Sequence, residues 1–391
     1  MTAPATPRTA PTSTGLRRVV ADDLSGAAEV AGVLLARGRD CEVILDGSPR
    51  DSLATSLRSP ADEGVTTVVD TDHRAVDPAS ARDAVRAATA DPAGAALVVV
   101  KVDSLWRGNV GPTVDALRDN GFQVVVAGAL PSLGRTVRGG LPVVGDVPLA
   151  DTALWALEPH PAPRAVADLL DGPVTAVPLD VLRAGWTLGG QDLSVLDGET
   201  DADLRAAATA AVDAVTGGRR VALVGSAALV AAVADTTSAP PRGTAAPLVA
   251  PGHRPVVLAV GSGSAAATAQ TAHLRAAALV DDHTHLLTID PVDRPGEAVA
   301  DLARRVGRTH PAADLVLTGG QTARAVLDHL GVRRLRPVAQ PDHGVVVSLA
   351  DDGRLVATKP GSFGQDPTLT DLVRLLRALR SGAPTAPQEI L

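Results

Sequence analysis

The sequence predicts an α/β protein of two domains, each built on a largely parallel sheet with flanking helices. The chain has 391 residues, about the length of two average domains. Short β-branched runs alternate with segments of helical period, and several runs are apolar throughout, as buried parallel strands are. Glycine-rich turns follow three of the predicted strands in the second half, as they do in many α/β folds that bind phosphates.

A proline-rich stretch gives the predicted division of the chain. Residues 236–255 carry five prolines and no periodicity, so we interpret them as a linker or crossover. An N-terminal domain is expected over residues 16–235 and a C-terminal domain over residues 256–391. Residues 1–15, rich in Thr, Pro and Ala, are predicted to be a disordered tail.

In the first half, β-branched and apolar runs alternate with helical patterns. The predicted strands are residues 16–21, 42–45, 66–69, 96–100, 123–126 and 221–224. The predicted helices are residues 26–37, 79–90, 110–120 and 227–234. Residues 128–163 are irregular and rich in Pro and Gly, and we expect a loop excursion there.

The second half restarts the alternation. Strands are predicted at residues 256–260, 286–289, 315–317, 345–349 and 355–358. Helices are predicted at residues 265–279, 296–307, 322–330 and 369–379.

Composition excludes several classes of partner. The net charge is −8, and no basic run with interleaved aromatic residues occurs, so nucleic acid is not an expected partner. No apolar run approaches the roughly 20 residues that span a bilayer, so no membrane association is expected. The single cysteine, Cys41, excludes an internal disulfide and fits a reducing cytoplasm. Whether the protein forms a homo-oligomer is left open.

The rarity of lysine draws attention to the two that occur, Lys101 and Lys359. Arginine supplies the other basic residues, in a composition that suggests GC-rich codons. Arginine does not replace lysine where a compact charge must approach an anion, so these two lysines are candidate anion ligands. The alternative is that both lysines lie on the protein surface and were retained by chance.

The three glycine-rich turns of the second half predict a nucleotide phosphate site. Each follows a predicted strand, and the carboxyl ends of parallel strands share one edge of a sheet. Glycine lets backbone N–H groups approach an anion, and helix N-termini add partial positive charge. The alternative is three ordinary turns, and no P-loop or dinucleotide fingerprint is present. The candidate nucleotide-binding residues are Ser262, Gly263, Ser264, Thr318, Gly319, Gly320, Gln321, Thr322, Lys359, Gly361 and Gly364.

Two adjacent carboxylates, Asp22 and Asp23, end the first predicted strand and precede Ser25. They could hold Mg²⁺, accept hydrogen bonds from substrate hydroxyls, or act as a general base. The alternative is an exposed turn in which Asp23 or Ser25 caps a helix.

The segment Lys101–Asn109 ends another strand and combines two cations, a carboxylate, a hydroxyl and an amide. Lys101 and Arg107 could bind a carboxylate, while Asp103 and Asn109 could bind hydroxyls. A polyhydroxy acid needs both kinds of contact. The alternative is a polar loop with internal ion pairs.

These segments together resemble the four-carbon acid sugar kinases. Ala21–Ala27 is similar to that family's Ala-Asp-Asp-Leu-Thr-Gly-Ala, and Lys101–Asn109 to its Lys-x-Asp-Ser-Thr-Leu-Arg-Gly-Asn. Pro131–Arg135 matches its Pro-x-x-Gly-Arg segment, and the glycine turns match its Gly-Ser-x-Ser, Thr-Gly-Gly-Glu-Thr and Lys-x-Gly-Gly-Phe-Gly. The resemblance runs in order from about Val19 to Leu376.

The resemblance implies a sugar-acid-binding N-terminal domain, an ATP-binding C-terminal domain, and phosphorylation of threonate, erythronate or a 3-oxo-tetronate. The substrate-binding residues are then expected to be Ser25, Lys101, Ser104, Arg107, Gly108 and Asn109. Three departures stand out: Gln321 replaces an acidic residue, Ser362 replaces a glycine, and Leu105–Trp106 alters the substrate loop.

The resulting hypothesis is an ATP- and Mg²⁺-dependent kinase with its active site in the cleft between the domains. Asp23, Asp22 or Asp103 would orient or deprotonate the substrate hydroxyl, and the residues leave that choice open. The rivals are a dehydrogenase or other nucleotide-linked enzyme, and a non-catalytic sugar-acid sensor.

Overall fold

The computed structural model describes residues 15–45, 65–90, 95–238 except 157 and 159, 249–289 and 295–382. Residues 1–14 of the predicted tail and half of the predicted linker lie outside these ranges. The strands are β1 (Arg18–Ala21), β2 (Cys41–Leu45), β3 (Thr66–Asp70), β4 (Leu97–Lys101), β5 (Gln123–Ala127), β6 (Arg135–Arg138), β7 (Leu141–Val144), β8 (Val147–Pro148), β9 (Thr175–Val177), β10 (Leu193–Leu196), β11 (Val221–Gly225), β12 (Val256–Val260), β13 (Thr284–Thr288), β14 (Asp314–Thr318), β15 (Arg334–Asp342), β16 (Val345–Ala350) and β17 (Leu355–Lys359).

Most helices follow a strand directly, as the alternation in the sequence predicts. The α-helices are α1 (Leu24–Ala36), α2 (Pro78–Thr89), α3 (Val110–Asp119), α4 (Leu179–Arg183), α5 (Asp201–Thr216), α6 (Ala227–Thr236), α7 (Ala265–Ala276), α8 (Pro295–Thr309), α9 (Gly320–His329) and α10 (Thr368–Ser381).

The contacts between residues divide the chain into two compact units. Unit 1 contains the described residues up to 18 and those from 77 to 238, and unit 2 contains residues 19–76 and the described residues from 249 onward. The division thus differs from the linear one at residues 236–255, because the chain from β1 to β3 packs in unit 2. The sequence boundaries given above stay a prediction.

Unit 1 is built on a parallel sheet with strand order β4-β11-β5-β10-β9. Its central strands are buried along their whole length, which is why they are continuous apolar runs in the sequence. The predicted loop excursion contains a small antiparallel sheet, β6-β7-β8, with short 3₁₀ turns.

Unit 2 contains the strand order β13-β12-β14-β17-β16-β15-β2-β3-β1. The pairs of β12 with β13 and β14, β14 with β17, and β2 with β3 are parallel. An antiparallel hairpin, β15–β16, lies between these two parallel sections. The α/β class with largely parallel sheets and flanking helices is therefore confirmed, with this hairpin and the small β6-β7-β8 sheet as the antiparallel parts.

Candidate functional site

The three glycine turns of unit 2 begin side by side at one edge of its sheet. Val260 at the end of β12 lies opposite Thr318 at the end of β14, and Thr318 lies opposite Lys359 at the end of β17. Because these strands are parallel and end at the same level, the residues after them share one edge. All the residues predicted to bind the nucleotide are therefore brought together.

The first and third of these turns are packed against each other. Ser264 Oγ donates to the Gly361 carbonyl (2.7 Å) and accepts the Ala267 N–H at the start of α7 (3.1 Å). A Cβ on Gly361 would overlap the Ser262 side chain. Glycine at 361 is required for this close approach, so the turns form a single backbone-lined surface.

Lys359 holds the third turn in shape. Its side chain is buried, and its ammonium donates to the carbonyls of Pro360 (2.9 Å) and Phe363 (2.8 Å), with Gly361 at 3.4 Å. Burial lowers the pKa of Lys359 to about 8. The cation therefore lies at the predicted phosphate edge, while its N–H groups organise the loop.

The ammonium of Lys359 is expected to titrate near pH 8, about two units below an ordinary lysine. Between this value and the unfolded pKa of 10.5 the unfolded state binds more protons, so this group's contribution to stability rises with pH across that window. Nitrogen-15 NMR of the lysine ammonium groups measures the pKa directly, because only two lysines occur and Lys101→Arg assigns the signals. A midpoint of 10 or above would contradict the burial argument.

The carboxylates of Asp22 and Asp23 are bound by one arginine, Arg74. The guanidinium binds Asp22 in a bidentate pair with both distances 2.9 Å, and it contacts Asp23 Oδ2 at 2.8 Å. Asp23 Oδ1 accepts the Gly26 N–H (2.7 Å) and caps helix α1. Asp23 therefore does cap a helix, as the alternative interpretation of this turn expected. The cap uses Oδ1, and Oδ2 takes no part in it.

The aspartate turn lies against the second glycine turn within unit 2. A Cβ built on Gly320 would fall 2.5 Å from Ser25 Oγ and 3.4 Å from Asp23 Oδ2. Only glycine allows this approach, so Gly320 has a steric role here as well as an exposed backbone. The predicted base and the predicted phosphate turn are thus neighbours in one unit.

A buried ion pair supports helix α9, which starts at the second glycine turn. Arg324 on α9 donates to Asp70 at the end of β3 (3.0 Å) and to Asp328 (2.8 Å). Asp70 is fully buried, and burial raises its pKa while the Arg324 guanidinium opposes that shift. The pair fixes the helix N-terminus relative to the strand that precedes Arg74.

The Lys101–Asn109 loop belongs to unit 1, and Asp103 is its organising residue. Asp103 Oδ2 accepts Arg107 Nε (2.7 Å) and the N–H groups of Leu105 and Arg107, and Oδ1 accepts Arg107 Nη2 (2.8 Å). The loop therefore contains the internal ion pair that was expected if it were only a polar loop, and not an acid-binding one. A carboxylate with both oxygens engaged in this way acts first to shape the loop.

A second arginine, Arg135, reaches the same loop. Its guanidinium donates to Ser104 Oγ, and Trp155 Nε1 donates to the Leu105 carbonyl (2.8 Å). Lys101 is buried at the end of β4, and Gly108 has a positive φ of 87°. Asn109 precedes α3 without a side-chain capping bond to it. Unit 1 thus gathers the predicted acid-binding residues other than Ser25, which lies in unit 2.

The sequence reasoning missed four polar residues that the structure adds: Asp70, Arg74, Arg135 and Arg324. Arg135 lies inside the Pro-x-x-Gly-Arg segment, which was used only as a family match. Asp70 directly follows the predicted strand 66–69, a position that had singled out Asp22 and Asp23, and Arg74 lies four residues further on. Arg324 carries no sequence signal, because its partner Asp70 is more than 250 residues away.

Neither a membrane-spanning helix nor a cluster of metal ligands occurs in the described part of the chain. No helix there is both long and apolar enough to span a bilayer. No group of three or more His, Cys, Asp and Glu side chains there is arranged to hold a metal ion. Mg²⁺ in nucleotide sites is held by one or two carboxylates together with phosphate oxygens, so a site of that kind needs fewer side chains than such a cluster.

Two family models match the chain. Residues 18–233 match the family model described as a sugar-binding N-terminal domain, and residues 292–369 match a nucleotide-binding C-terminal domain. The chain is 31% identical to the D-threonate kinase of Cupriavidus necator, over 90% of this chain and 95% of that one. The chain belongs to the four-carbon acid sugar kinase family. It is therefore an enzyme of the kinase class.

Other relatives carry different substrate names. A 3-oxo-tetronate kinase of Cupriavidus necator is 28% identical over 91% of this chain and 96% of its own. The crystal structure of a Haemophilus influenzae protein has the same fold, with a TM-score of 0.67, 20% identity, and coverage of 93% of this chain and 99% of that one.

The three departures from the kinase family's pattern have local explanations. Ser362 is not among the described non-glycine residues with positive φ, so serine is tolerated there. Trp106 is among them, with φ of 65°, and its ring packs over Gly128, where a Cβ would overlap it. Gln321 is exposed in the first turn of α9, where nothing in the structure requires an acid.

Proposed function

We propose that this kinase transfers the γ-phosphate of ATP to a hydroxyl of a four-carbon sugar acid. The observation that carries the proposal is the approach of Gly320 to Ser25 and Asp23 within unit 2. A phosphate-binding turn and a carboxylate then lie at one sheet edge, as phosphoryl transfer to a hydroxyl requires.

The nucleotide phosphates would lie on the backbone of the three glycine turns. The N-termini of α7 and α9 supply N–H groups and partial positive charge, and Lys359 adds a cation. Mg²⁺, which neutralises charge on the transferring phosphoryl group, would be held by the phosphates with Asp22 or Asp23.

Asp23 is the candidate base that the contacts favour among the three carboxylates. The side chain of Asp22 is 3% exposed and is bound in a fork by Arg74. That of Asp103 is 8% exposed and accepts four hydrogen bonds from its own loop. That of Asp23 is 17% exposed, and its Oδ2 has a single guanidinium contact among the described residues, to Arg74, and lies beside the Gly320 turn. It would orient the substrate hydroxyl and accept its proton.

The sugar acid would bind at the Lys101–Asn109 loop. Arg107 and Lys101 there supply positive charge for a carboxylate, and Asn109 supplies hydrogen bonds for hydroxyls. Arg135, bound to Ser104, adds a further guanidinium to this loop. Among the acids named for relatives, D-threonate is the first to test, because a D-threonate kinase is 31% identical over 90% of this chain.

The direct test is ADP release with MgATP against D- and L-threonate, D- and L-erythronate and 3-oxo-tetronates. We expect ADP release that depends on one of these acids. A thermal-shift series separates the rivals, since a kinase responds to MgATP and to the acid separately, whereas a sensor responds to the acid alone. Stabilisation by a nicotinamide dinucleotide but not by ATP would favour a dehydrogenase instead.

A further inference from the structure

One peptide unit of the Lys101–Asn109 loop is hydrogen-bonded on both of its sides. This unit joins Leu105 to Trp106. Its N–H donates to the Asp103 carbonyl within the loop (2.8 Å), and its carbonyl accepts the indole N–H of Trp155 (2.8 Å). The first bond is local, whereas the second comes from the loop excursion, 50 residues further along the chain. The orientation of this peptide unit therefore depends on Trp155.

The orientation is one that the backbone of Trp106 does not favour. Its φ is 65°, in the left-handed region where a residue other than glycine is strained. A half-turn of the Leu105–Trp106 peptide would return this φ to the broadly allowed negative region. A strained conformation persists only where its surroundings hold it. The bond from Trp155 opposes the half-turn directly, because the rotated carbonyl would point away from the indole.

The side chains on either side of this peptide unit are packed in place. The Trp106 ring is buried on Gly128, just after β5, where a Cβ would overlap it. Leu105 is buried as well. Because both side chains are held, rotation of the peptide unit between them is the movement that remains to relieve the strain.

The orientation of the unit matters because the residues predicted to bind the acid lie on both sides of it. Lys101 precedes it, and Arg107 and Asn109 follow it. The N–H of Arg107 donates to Asp103 Oδ2 (3.3 Å), which requires the chain to turn back at Trp106. A half-turn of the peptide would therefore move Arg107 and Asn109 relative to Lys101.

The excursion that carries Trp155 is itself fixed to the sheet of unit 1. Asp197, directly after β10, accepts the N–H groups of residues 139–140 at the β6–β7 turn (both 2.8 Å). The excursion reaches the loop at two places, since Arg135 also donates to Ser104 Oγ. A donor on a fixed element can select one orientation of the peptide instead of following it.

We propose that Trp155 is a positioning residue for the sugar acid. Its indole N–H keeps the Leu105–Trp106 peptide in the strained orientation in which the loop binds the acid. The inference rests on the proposed function and deepens it, since it concerns the loop at which the acid is proposed to bind. Trp106, one of the departures from the kinase family's pattern, is then accommodated by a bond from outside the loop.

The test removes the indole N–H and keeps an aromatic ring. In Trp155→Phe the rotated orientation becomes accessible, and the apparent affinity for the acid falls with the fraction of loops that remain competent. We expect the KM for the acid to rise about tenfold, as for a fall of that fraction to about one tenth. The value of kcat should stay nearly unchanged, because saturating acid restores the competent orientation. The KM for MgATP should not change, because the glycine turns belong to unit 2. The probe is D-threonate, or the acid of the panel above that gives ADP release.

The third tryptophan provides the matched control. Trp186→Phe makes the same change in unit 1 outside the loop and the excursion, and all three constants should stay unchanged. An unchanged KM for the acid in folded Trp155→Phe overturns the inference and leaves the proposed function standing. An equal rise in both KM values also contradicts a positioning role. Absence of acid-dependent ADP release by the unaltered protein overturns the proposed function, and the inference with it.

Should Trp155→Phe fail to fold, hydrogen exchange of the indole N–H groups in the unaltered protein decides. Three indole signals are expected in nitrogen-15 spectra, and Trp186→Phe identifies one of them. Bound acid selects the bonded orientation of the loop, so one of the other two signals should exchange about tenfold more slowly with acid than without. ADP should not have this effect. Equal exchange with and without the acid contradicts the proposal.

Discussion

Replacing Asp23 by asparagine is expected to lower kcat about 100-fold or more while the protein stays folded. Asparagine cannot accept the proton of a substrate hydroxyl. It nevertheless caps a helix about as well as aspartate, so the bond from Gly26 N–H that starts α1 is kept. Steady-state rates with saturating MgATP and acid give kcat, and circular dichroism gives the fold.

The chain contains a close control for this substitution. Asp77 also caps a helix, α2, by accepting the Ser80 N–H at 3.0 Å. Asp77→Asn makes the same chemical change at a cap without a glycine turn against it, and kcat should be unaffected. If Asp23→Asn retains normal turnover, Asp23 is not the base.

Replacing Arg324 by methionine is expected to destabilise unit 2 by about 3–5 kcal/mol at pH 9, where Asp70 of the unaltered protein is mostly ionised. Methionine fills a similar volume, but Asp70 then lies fully buried without its guanidinium. Loss of that cation raises the pKa of Asp70 further. The loss in free energy of unfolding should therefore be larger at pH 9 than at pH 5, because at pH 5 the carboxyl is protonated in the folded state of both proteins. Urea unfolding should be followed by far-ultraviolet circular dichroism, because all three tryptophans lie in unit 1.

Arg333 provides the comparison for Arg324. It also binds Asp328, at 2.9 Å, but both side chains are about 40% exposed. Arg333→Met should therefore cost about 1 kcal/mol or less. Equal losses in the two variants would contradict a special role for the buried pair. A partial recovery is expected when Asp70→Leu is added to Arg324→Met, because an apolar side chain removes the unpaired buried carboxyl group.

The antiparallel hairpin illustrates why part of the fold was missed. Strand β15 contains Pro337 and Pro341, which argue against a strand inside a sheet. The structure accommodates them because β2 pairs only with Arg334 and Leu335, ahead of the first proline. The pairing of β15 with β16 changes register twice after that, between Pro337 and Ala339 and between Ala339 and Asp342. No local pattern in the sequence reports such a partial pairing.

The sequence by itself determined the α/β class, most strands and helices, and the segments that carry polar chemistry. These depend on local patterns: periodicity, glycine after a strand, and acids at a strand end. The tertiary structure alone decided that residues 19–76 pack with the glycine turns, that Arg74 binds both Asp22 and Asp23, and that Arg324 binds Asp70. The physical reason is that strand order and ion pairing depend on packing between distant segments, whose burial energy no short window of sequence contains.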